Sequence, residues 1–129
     1  MVLVDTSIWI DYFRGVDSFQ TNLLSTLLDE ERIATGDLII AELMQGFRTK
    51  FQIAAALQII NSLEYFDLAG KEISLKAAEN YRILRKKGIT IRKTIDTIIG
   101  TFCIENNFKL LHNDRDFDPM ANHLGLIVL

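Results

Sequence analysis

The chain has 129 residues, of which 49% are hydrophobic and 24% charged, a composition typical of one globular domain that buries its own core. A single cysteine, Cys103, excludes a disulfide framework and a cysteine-based zinc site, and no apolar run is long enough to cross a membrane. The net charge of −3 argues against a protein that binds nucleic acid with its whole surface. We predict one domain over residues 1–129, and the lack of a basic leader before the first apolar run makes the cytoplasm the expected compartment.

The first apolar run, Val2–Val4, has branched side chains and no polar alternation, which predicts a strand covered on both faces, as in a parallel sheet. Asp5 follows directly, and ligands of such sheets gather beyond the carboxyl ends of the strands. Its carboxylate and the hydroxyls of Thr6 and Ser7 are hard oxygen ligands of the kind that Mg²⁺ or Mn²⁺ prefers. Asp5 is also a good cap for the helix predicted over Ile8–Phe13, so this stretch alone leaves both roles open.

A second helix is predicted to begin at Asp17 or Ser18, to carry a stripe of leucines and to end at about Glu31. A later helix includes Glu42, which lies among apolar neighbours. A carboxylate in such surroundings is costly to bury unless it is paired or binds a metal. A glutamate that simply faces solvent is the alternative, and the helix by itself leaves both open.

The middle of the chain alternates short strands with helices, as expected of an α/β domain. The longest helix ends at Gly88, where a left-handed cap favours glycine. The predicted elements are a strand at Arg32–Thr35, helices at Asp37–Gly46 and Phe51–Leu63, a strand at Tyr65–Leu68 and the long helix at Glu72–Lys87.

Basic residues are concentrated in one segment, because eight of the fourteen Lys and Arg residues fall between Lys71 and Lys93. A solvated helix face explains such a pattern, and so does a surface that binds phosphate groups. The solvated face is the more common of the two, and the second interpretation stays open because the segment leads directly into Asp96. Its most crowded members are Arg82, Arg85, Lys86, Lys87, Arg92 and Lys93.

The last third of the chain repeats the arrangement of a strand followed by acids. Thr94 is expected to cap a helix over Asp96–Asn106, so that Asp96 lies in the first turn, where the helix dipole stabilises a carboxylate. A strand at Phe108–Leu111 is followed by several acids, Asp114 and Asp116 among them. We interpret His112 and His123 as loop residues, the stretch between Pro119 and Gly125 as a loop, and Leu126–Leu129 as a last strand.

These elements predict a three-layer α/β/α domain with a short central parallel sheet flanked by helices. In that arrangement Asp5 and Asp114 follow strands whose ends lie close together, and Asp96 precedes the strand that leads to Asp114. Carboxylates gathered in one cleft repel one another and raise each other's pKa unless a cation neutralises them. A divalent ion is therefore the expected ligand.

Four motifs together make the chain resemble the PIN-domain ribonucleases, and more narrowly the VapC-type toxins of VapBC toxin–antitoxin pairs. They are Val-Asp-Thr-Ser at Val4–Ser7, Ala-Glu-Leu at Ala41–Leu43 followed by Gly46, Asp96 after Arg92-Lys93-Thr94, and Asn-Asp-Arg-Asp-Phe at Asn113–Phe117. The resemblance covers essentially the whole chain in motif order, spacing and length.

The resemblance implies a Mg²⁺- or Mn²⁺-dependent endoribonuclease, which as a toxin would inhibit translation. Its catalytic acids would be Asp5, Glu42, Asp96 and Asp114, which would also hold the metal. Asp116 is an alternative for the fourth acid. Thr6 and Asn113 match supporting polar positions, and Arg82, Arg85, Lys86, Arg92 and Lys93 would guide the RNA through its phosphates.

The same resemblance implies a homodimer and a groove for a VapB-like antitoxin. The candidate contacts are Trp9, Tyr12, Phe13 and the leucines between positions 23 and 28, all of which fit the core equally well.

Two other classes of protein remain as alternatives. One is a binding module whose acids serve only as helix caps. The other is a Mg²⁺-dependent phosphate-accepting receiver, which needs paired acids after the first strand and a lysine near the last strand. Here Asp5 is followed by Thr6 and Ser7, and no lysine follows Lys109.

Overall fold

The computed structural model describes residues 1–30 and 32–129. Over these residues the chain forms a five-stranded sheet in which every pair of neighbouring strands is parallel, in the order β3-β2-β1-β4-β5. The predicted α/β class with a short central parallel sheet is therefore confirmed. The strands are β1 (Val2–Val4), β2 (Ile33–Gly36), β3 (Glu64–Phe66), β4 (Lys109–Leu111) and β5 (Ile127–Val128).

Helices flank the sheet, and most of them lie where the sequence predicts them. The described residues form α1 (Thr6–Phe13), α2 (Phe19–Glu30), α3 (Asp37–Gln45), α4 (Lys50–Ile60), α5 (Lys71–Lys86), α6 (Thr94–Asn106) and α7 (Asp118–His123), with a short 3-10 helix at Arg115–Phe117. The predicted end of the second helix, Glu31, lies outside the described residues. None of the helices in the described chain is long and apolar enough to cross a membrane.

Three local predictions need correction. Thr94 is the first residue of α6 rather than its cap, and Lys93 is the cap, with extended backbone and no side-chain hydrogen bond. The predicted loop after Pro119 contains α7, whose first turn accommodates the proline because a first-turn residue needs no backbone N–H. Helix α1 begins two residues early, because Asp5 caps it. Ser18, by contrast, does accept a hydrogen bond from the Thr21 backbone N–H at the start of α2, as expected of a cap.

The centre of the sheet is β1, which is buried on both faces. Val2 is 3% exposed, and Leu3 and Val4 are fully buried. Val4 pairs with Leu111 of β4, and the Asp5 backbone N–H donates to the Leu111 carbonyl at 2.9 Å, which extends the ladder by one residue. The carboxyl ends of β1 and β4 therefore lie side by side.

Helices α5 and α6 pack against each other across a buried polar contact. The Asn80 side-chain amide donates to Thr101 Oγ1 at 3.0 Å, and both residues are at most 5% exposed. A satisfied hydrogen bond in the interior holds two helices in one register, because breaking it would leave two buried polar groups without partners. This contact places the basic helix α5 beside the helix that carries Asp96.

Candidate metal centre

Asp5 lies at the end of β1 and performs the capping role, which is one of the two roles that the sequence leaves open. Its Oδ2 atom accepts hydrogen bonds from the Ser7 backbone N–H at 3.2 Å and from Ser7 Oγ at 2.7 Å, so it caps α1. The carboxylate is also buried at the sheet edge where β4 ends, and its charge acts on Asp96 and Glu42. Burial raises the pKa of Asp5, and the two bonds from Ser7 oppose that rise. Ser7 thus orients the Asp5 carboxylate. The sequence predicted that Asp5 could cap the helix but did not identify Ser7 as its hydrogen-bond donor.

Glu42 reaches the same cleft from α3 and does not simply face solvent. It is half-buried, and Thr6 Oγ1 donates a hydrogen bond of 3.1 Å to its Oε1 atom. Burial raises the pKa of Glu42, while this hydrogen bond and the charge of Lys93 lower it. Thr6 therefore links the first turn of α1 to an acid 36 positions away.

Three carboxylates form the tightest acidic group among the described residues. One oxygen from each of Asp96, Asp114 and Asp116 lies within 4.8 Å of the others. Asp96 is 4% exposed, in the first turn of α6. Asp5 and Glu42 stand outside this three-oxygen set and act on it through their charges.

A tight turn brings Asp114 and Asp116 together, so both acids that the sequence offers after β4 belong to the cluster. Asp114 Oδ1 accepts a hydrogen bond from the Asp116 backbone N–H at 2.9 Å and caps the 3-10 helix. The Asp114 backbone N–H donates to His112 Nδ1 at 3.1 Å. His112 is therefore a support of the acidic turn and not only a loop residue, and its place two positions before Asp114 is the signal for it.

The cluster carries more negative charge than its surroundings neutralise. Burial, followed by the charges of Asp5 and Asp114, raises the pKa of Asp96 to about 7, and the charge of Lys93 opposes this rise. Within the described chain, Asp96 Oδ2 and Asp116 Oδ2 are buried oxygens without a hydrogen-bond partner. Leaving a buried acceptor unpaired costs about 1–3 kcal/mol. Convergent carboxylate oxygens with two unpaired acceptors fit a divalent cation, for which hard oxygen ligands are preferred.

Basic residues border the acidic cluster. Arg92 Nε lies 3.4 Å from Asp116 Oδ1, and Arg92 lines a cleft of about 580 Å³ together with Asn113 and the two turn acids. Arg82, Arg85 and Arg92 line a second cleft, between α5 and α6. Lys86 and Lys93 are exposed. The structure thus places Arg82, Arg85 and Arg92 on the side of α5 and α6 that leads to the acids, and the charge of Lys93 acts on Asp96 and Glu42.

The predicted interface residues separate into two groups. Trp9 is fully buried, so the expectation that it contacts a partner is corrected: its ring lies in the core, stacked on Phe13 at 6.0 Å between centroids. Among the leucines, Leu24 and Leu27 are buried as well. Tyr12 and Phe13 are half-buried, as are the other two leucines of the stripe, Leu23 and Leu28.

Phe13 lies in a groove of about 530 Å³ between α1, α3 and α4. Phe47 packs edge-on against Phe13 at 5.6 Å, and Phe51 is 84% exposed. Phe47 and Phe51 were not among the predicted interface residues, although two phenylalanines four positions apart, with Arg48 between them, are a recognisable signal. Arg14 and Arg48 also line the groove and give it a basic edge.

Comparison with known proteins agrees with this geometry. The PIN domain family model matches residues 2–122. VapC ribonuclease Mb1587 of Mycobacterium bovis and Ribonuclease VapC11 of Mycobacterium tuberculosis are each 32% identical over 128 residues, which cover 98% of this chain and 96% of theirs. The structure of VapBC2 from Rickettsia felis, bound to a DNA fragment from its promoter, includes a chain that is 25% identical, with a TM-score of 0.77 and coverage of 100% of this chain and 98% of that one. The chain therefore belongs to the PIN-domain family, among its VapC-type members.

Proposed function

We propose that this chain is a metal-dependent endoribonuclease that acts as the toxin of a VapBC-type pair and inhibits translation by cutting RNA. The observation that carries the proposal is the convergence of Asp96, Asp114 and Asp116 at the sheet edge, with two buried carboxylate oxygens that lack partners in the described chain. The relatives named as VapC ribonucleases support the same activity. A phosphate-accepting receiver has no support in this family.

Asp96, Asp114 and Asp116 would bind Mg²⁺ or Mn²⁺ through their carboxylate oxygens. When bound, such an ion polarises a scissile phosphate and lowers the pKa of an attacking water. Asp5 adds negative charge beside the cluster, which keeps the site selective for a cation. Glu42 would orient the attacking water and accept its proton at the carboxylate, which the Thr6 hydroxyl holds in place through Oε1. Asn113, exposed beside the acids, would contact the substrate.

The RNA backbone would approach over the basic residues Arg82, Arg85, Lys86, Arg92 and Lys93. An acidic site repels a polyanion, so phosphate contacts outside the site are needed to hold the substrate against it. Arg92 is suited to this because it lies between the basic segment and Asp116. Contacts of this kind weaken as salt rises. Cellular RNA as substrate would place the activity in the cytoplasm.

We propose that a VapB-like antitoxin binds the groove of Phe13, Phe47 and Phe51. An exposed phenylalanine at the mouth of an apolar groove fits the apolar side of a partner segment, and Arg14 and Arg48 fit acidic residues beside it. Phe51→Ala would weaken capture of the antitoxin in a pull-down while leaving RNA cleavage unchanged. A homodimer is part of the same proposal, and light scattering that shows a monomer at micromolar concentration would exclude it.

The deciding experiment is cleavage of a mixed tRNA and ribosomal RNA pool by purified, antitoxin-free protein, with Mg²⁺, with Mn²⁺ and with EDTA. Discrete fragments that require metal and disappear in Asp96→Asn would establish the ribonuclease. Glu72→Gln is the matched control, because Glu72 is the first-turn acid of α5 and lies outside the cluster. Absence of cleavage by folded protein over a wide RNA set would favour a pure binding module instead.

A further inference from the structure

The cleft between α5 and α6 combines cationic, aromatic and hydroxyl groups that the metal centre does not use. Its volume is about 640 Å³, which falls within the range of about 300–1,000 Å³ that is usual for small-ligand sites. Tyr81, Ile91 and Ile98 form an apolar wall, and Arg82, Arg85 and Arg92 line the same space. We propose that this cleft binds one nucleotide of the single-stranded RNA substrate, with the base against Tyr81 and the phosphate on the arginines.

The aromatic part of the cleft is arranged for stacking. Tyr81 is half-buried, and the Arg85 guanidinium carbon lies 5.7 Å from the centre of its ring. Unpaired RNA bases stack on aromatic rings and on arginine planes, and proteins use both to hold splayed nucleotides. The Tyr81–Arg85 pair offers the two surfaces together.

The charges of the cleft favour a phosphate over a protein segment of mixed charge. Arg82 and Arg85 have no carboxylate within 4.0 Å among the described residues, whereas Lys76 on the same helix is paired with Glu79 and Glu105. Unpaired guanidiniums are suited to bidentate contact with phosphate oxygens. Arg92 lines this cleft and also the acidic one, so a strand held here continues toward Asp114 and Asp116.

The α6 wall of the cleft is closely packed at Thr97. Thr97 lines the cleft from α6, is 3% exposed, and its Oγ1 atom is buried without a hydrogen-bond partner in the described chain. The Oγ1 atom itself is not accessible from the cleft, so Thr97 contributes to the shape of the wall and not a polar contact. The buried Asn80–Thr101 hydrogen bond holds the two helices that form the walls, which makes the cleft preformed.

Binding of short single-stranded RNA to the non-cleaving Asp96→Asn protein, followed by fluorescence anisotropy over a series of salt concentrations, tests the inference. Tyr81→Ala is expected to weaken binding about tenfold with an unchanged salt dependence, because stacking releases no counterions. Arg85→Gln is expected to weaken binding and to reduce the slope of log affinity against log salt by about one. Tyr81→Phe retains the ring and should bind normally, and Lys71→Gln is a control for loss of charge elsewhere on α5.

A scan with one abasic position moved along the RNA makes the test specific to a base. An abasic site at one position of the RNA should weaken its binding to the Asp96→Asn protein. When Tyr81→Ala is added to that protein, the same abasic site should cause no further loss of affinity, because both changes remove the same contact. A flat scan overturns the inference even where Tyr81→Ala folds poorly, because the scan uses intact Tyr81. Altered oligomeric state in Tyr81→Ala with unchanged RNA affinity also overturns it and assigns the cleft to a contact between copies.

The inference rests on the proposed ribonuclease function, and the two fail differently. Metal-dependent cleavage by the wild-type chain together with a flat abasic scan overturns the nucleotide cleft and leaves the ribonuclease intact. Absence of both RNA binding and metal-dependent cleavage overturns both.

Discussion

Thr6 Oγ1 donates a hydrogen bond to Glu42 Oε1 at 3.1 Å, which joins the first turn of α1 to the middle of α3. Thr6 is 7% exposed, and Glu42 is half-buried. The contact sets the direction of the Glu42 carboxylate and lowers its pKa against the effect of burial. A threonine that sequence analysis offers only as a supporting residue thus controls both the position and the protonation of a catalytic candidate.

Thr6→Val should slow RNA cleavage about tenfold, because hydrogen bonds to charged groups contribute about 1.5–3 kcal/mol. The pKa of Glu42 should rise, so the pH at which cleavage becomes fast should also rise. Single-turnover cleavage rates measured over a pH series check both effects. Thr6→Ser keeps the donor and is the control. Equal pH profiles for the valine variant and the wild type would show that the hydrogen bond does not act on Glu42 during catalysis.

Divalent metal should stabilise the folded chain through the acidic cluster. A ligand at one hundred times its Kd adds about 2.7 kcal/mol to the free energy of unfolding, so Mn²⁺ should raise Tm in a concentration-dependent way. Asp96→Asn, Asp114→Asn and Asp116→Asn should each weaken this rise, and Glu72→Gln should keep it. A rise of equal size in the Asp116 variant would remove that residue from the metal site.

The metal-free protein should lose stability as pH rises through the range in which Asp96 titrates. The pKa of Asp96 is raised from its ordinary value of 3.8 to about 7, so between these values the folded chain binds a proton that the unfolded chain has released. Stability therefore falls as pH rises through this window and levels off above it. The asparagine of Asp96→Asn does not titrate. The free energy of unfolding of this variant, relative to that of the wild type, should therefore increase as pH rises.

Urea unfolding of both proteins in EDTA, at about pH 5 and about pH 8, measures that difference on either side of the higher pKa. Asp5 and Glu42 also have raised pKa values and titrate in both proteins, so the comparison measures the titration of Asp96 together with its charge coupling to these two acids. A constant difference between the two proteins would contradict the prediction.

Gly36→Ala should destabilise the fold by about 1–3 kcal/mol, the usual cost of overpacking a core. A methyl group at Gly36 would lie only 2.6 Å from the Phe66 carbonyl oxygen and would also overlap the Leu68 side chain. Since Gly36 precedes α3, the strain would also move Glu42. Gly46→Ala is the control, because the nearest atom to its methyl group is 3.4 Å away and its φ of −80° suits alanine. Chemical unfolding of the two variants should separate them clearly.

Local patterns in the sequence were sufficient for most of the fold. The apolar runs at β1 and β4 predicted buried parallel strands, and glycines and caps marked most helix boundaries. Helix α7 was missed because its six residues, of which Pro119 is the second, carry too little periodicity to be told from a loop. The four acids of the motifs were proposed from their positions in the chain. Asp5 and Asp114 come after strands, and Asp96 and Glu42 belong to helices, which are relationships between neighbours in the chain.

The grouping of those acids was decided by tertiary structure. Asp96, Asp114 and Asp116 form the tight set because the turn after β4 faces the first turn of α6, while Asp5 and Glu42 reach it as charges and through Thr6. Trp9 belongs to the core for the same kind of reason, since the depth of a helix face depends on which distant segments cover it. The sequence by itself determined which side chains are candidates for the chemistry, because residue type and local spacing are properties of neighbours. Which of these side chains meet was decided by the tertiary structure alone. The order of strands in the sheet and the packing of α6 set the distances between residues that are remote in the chain.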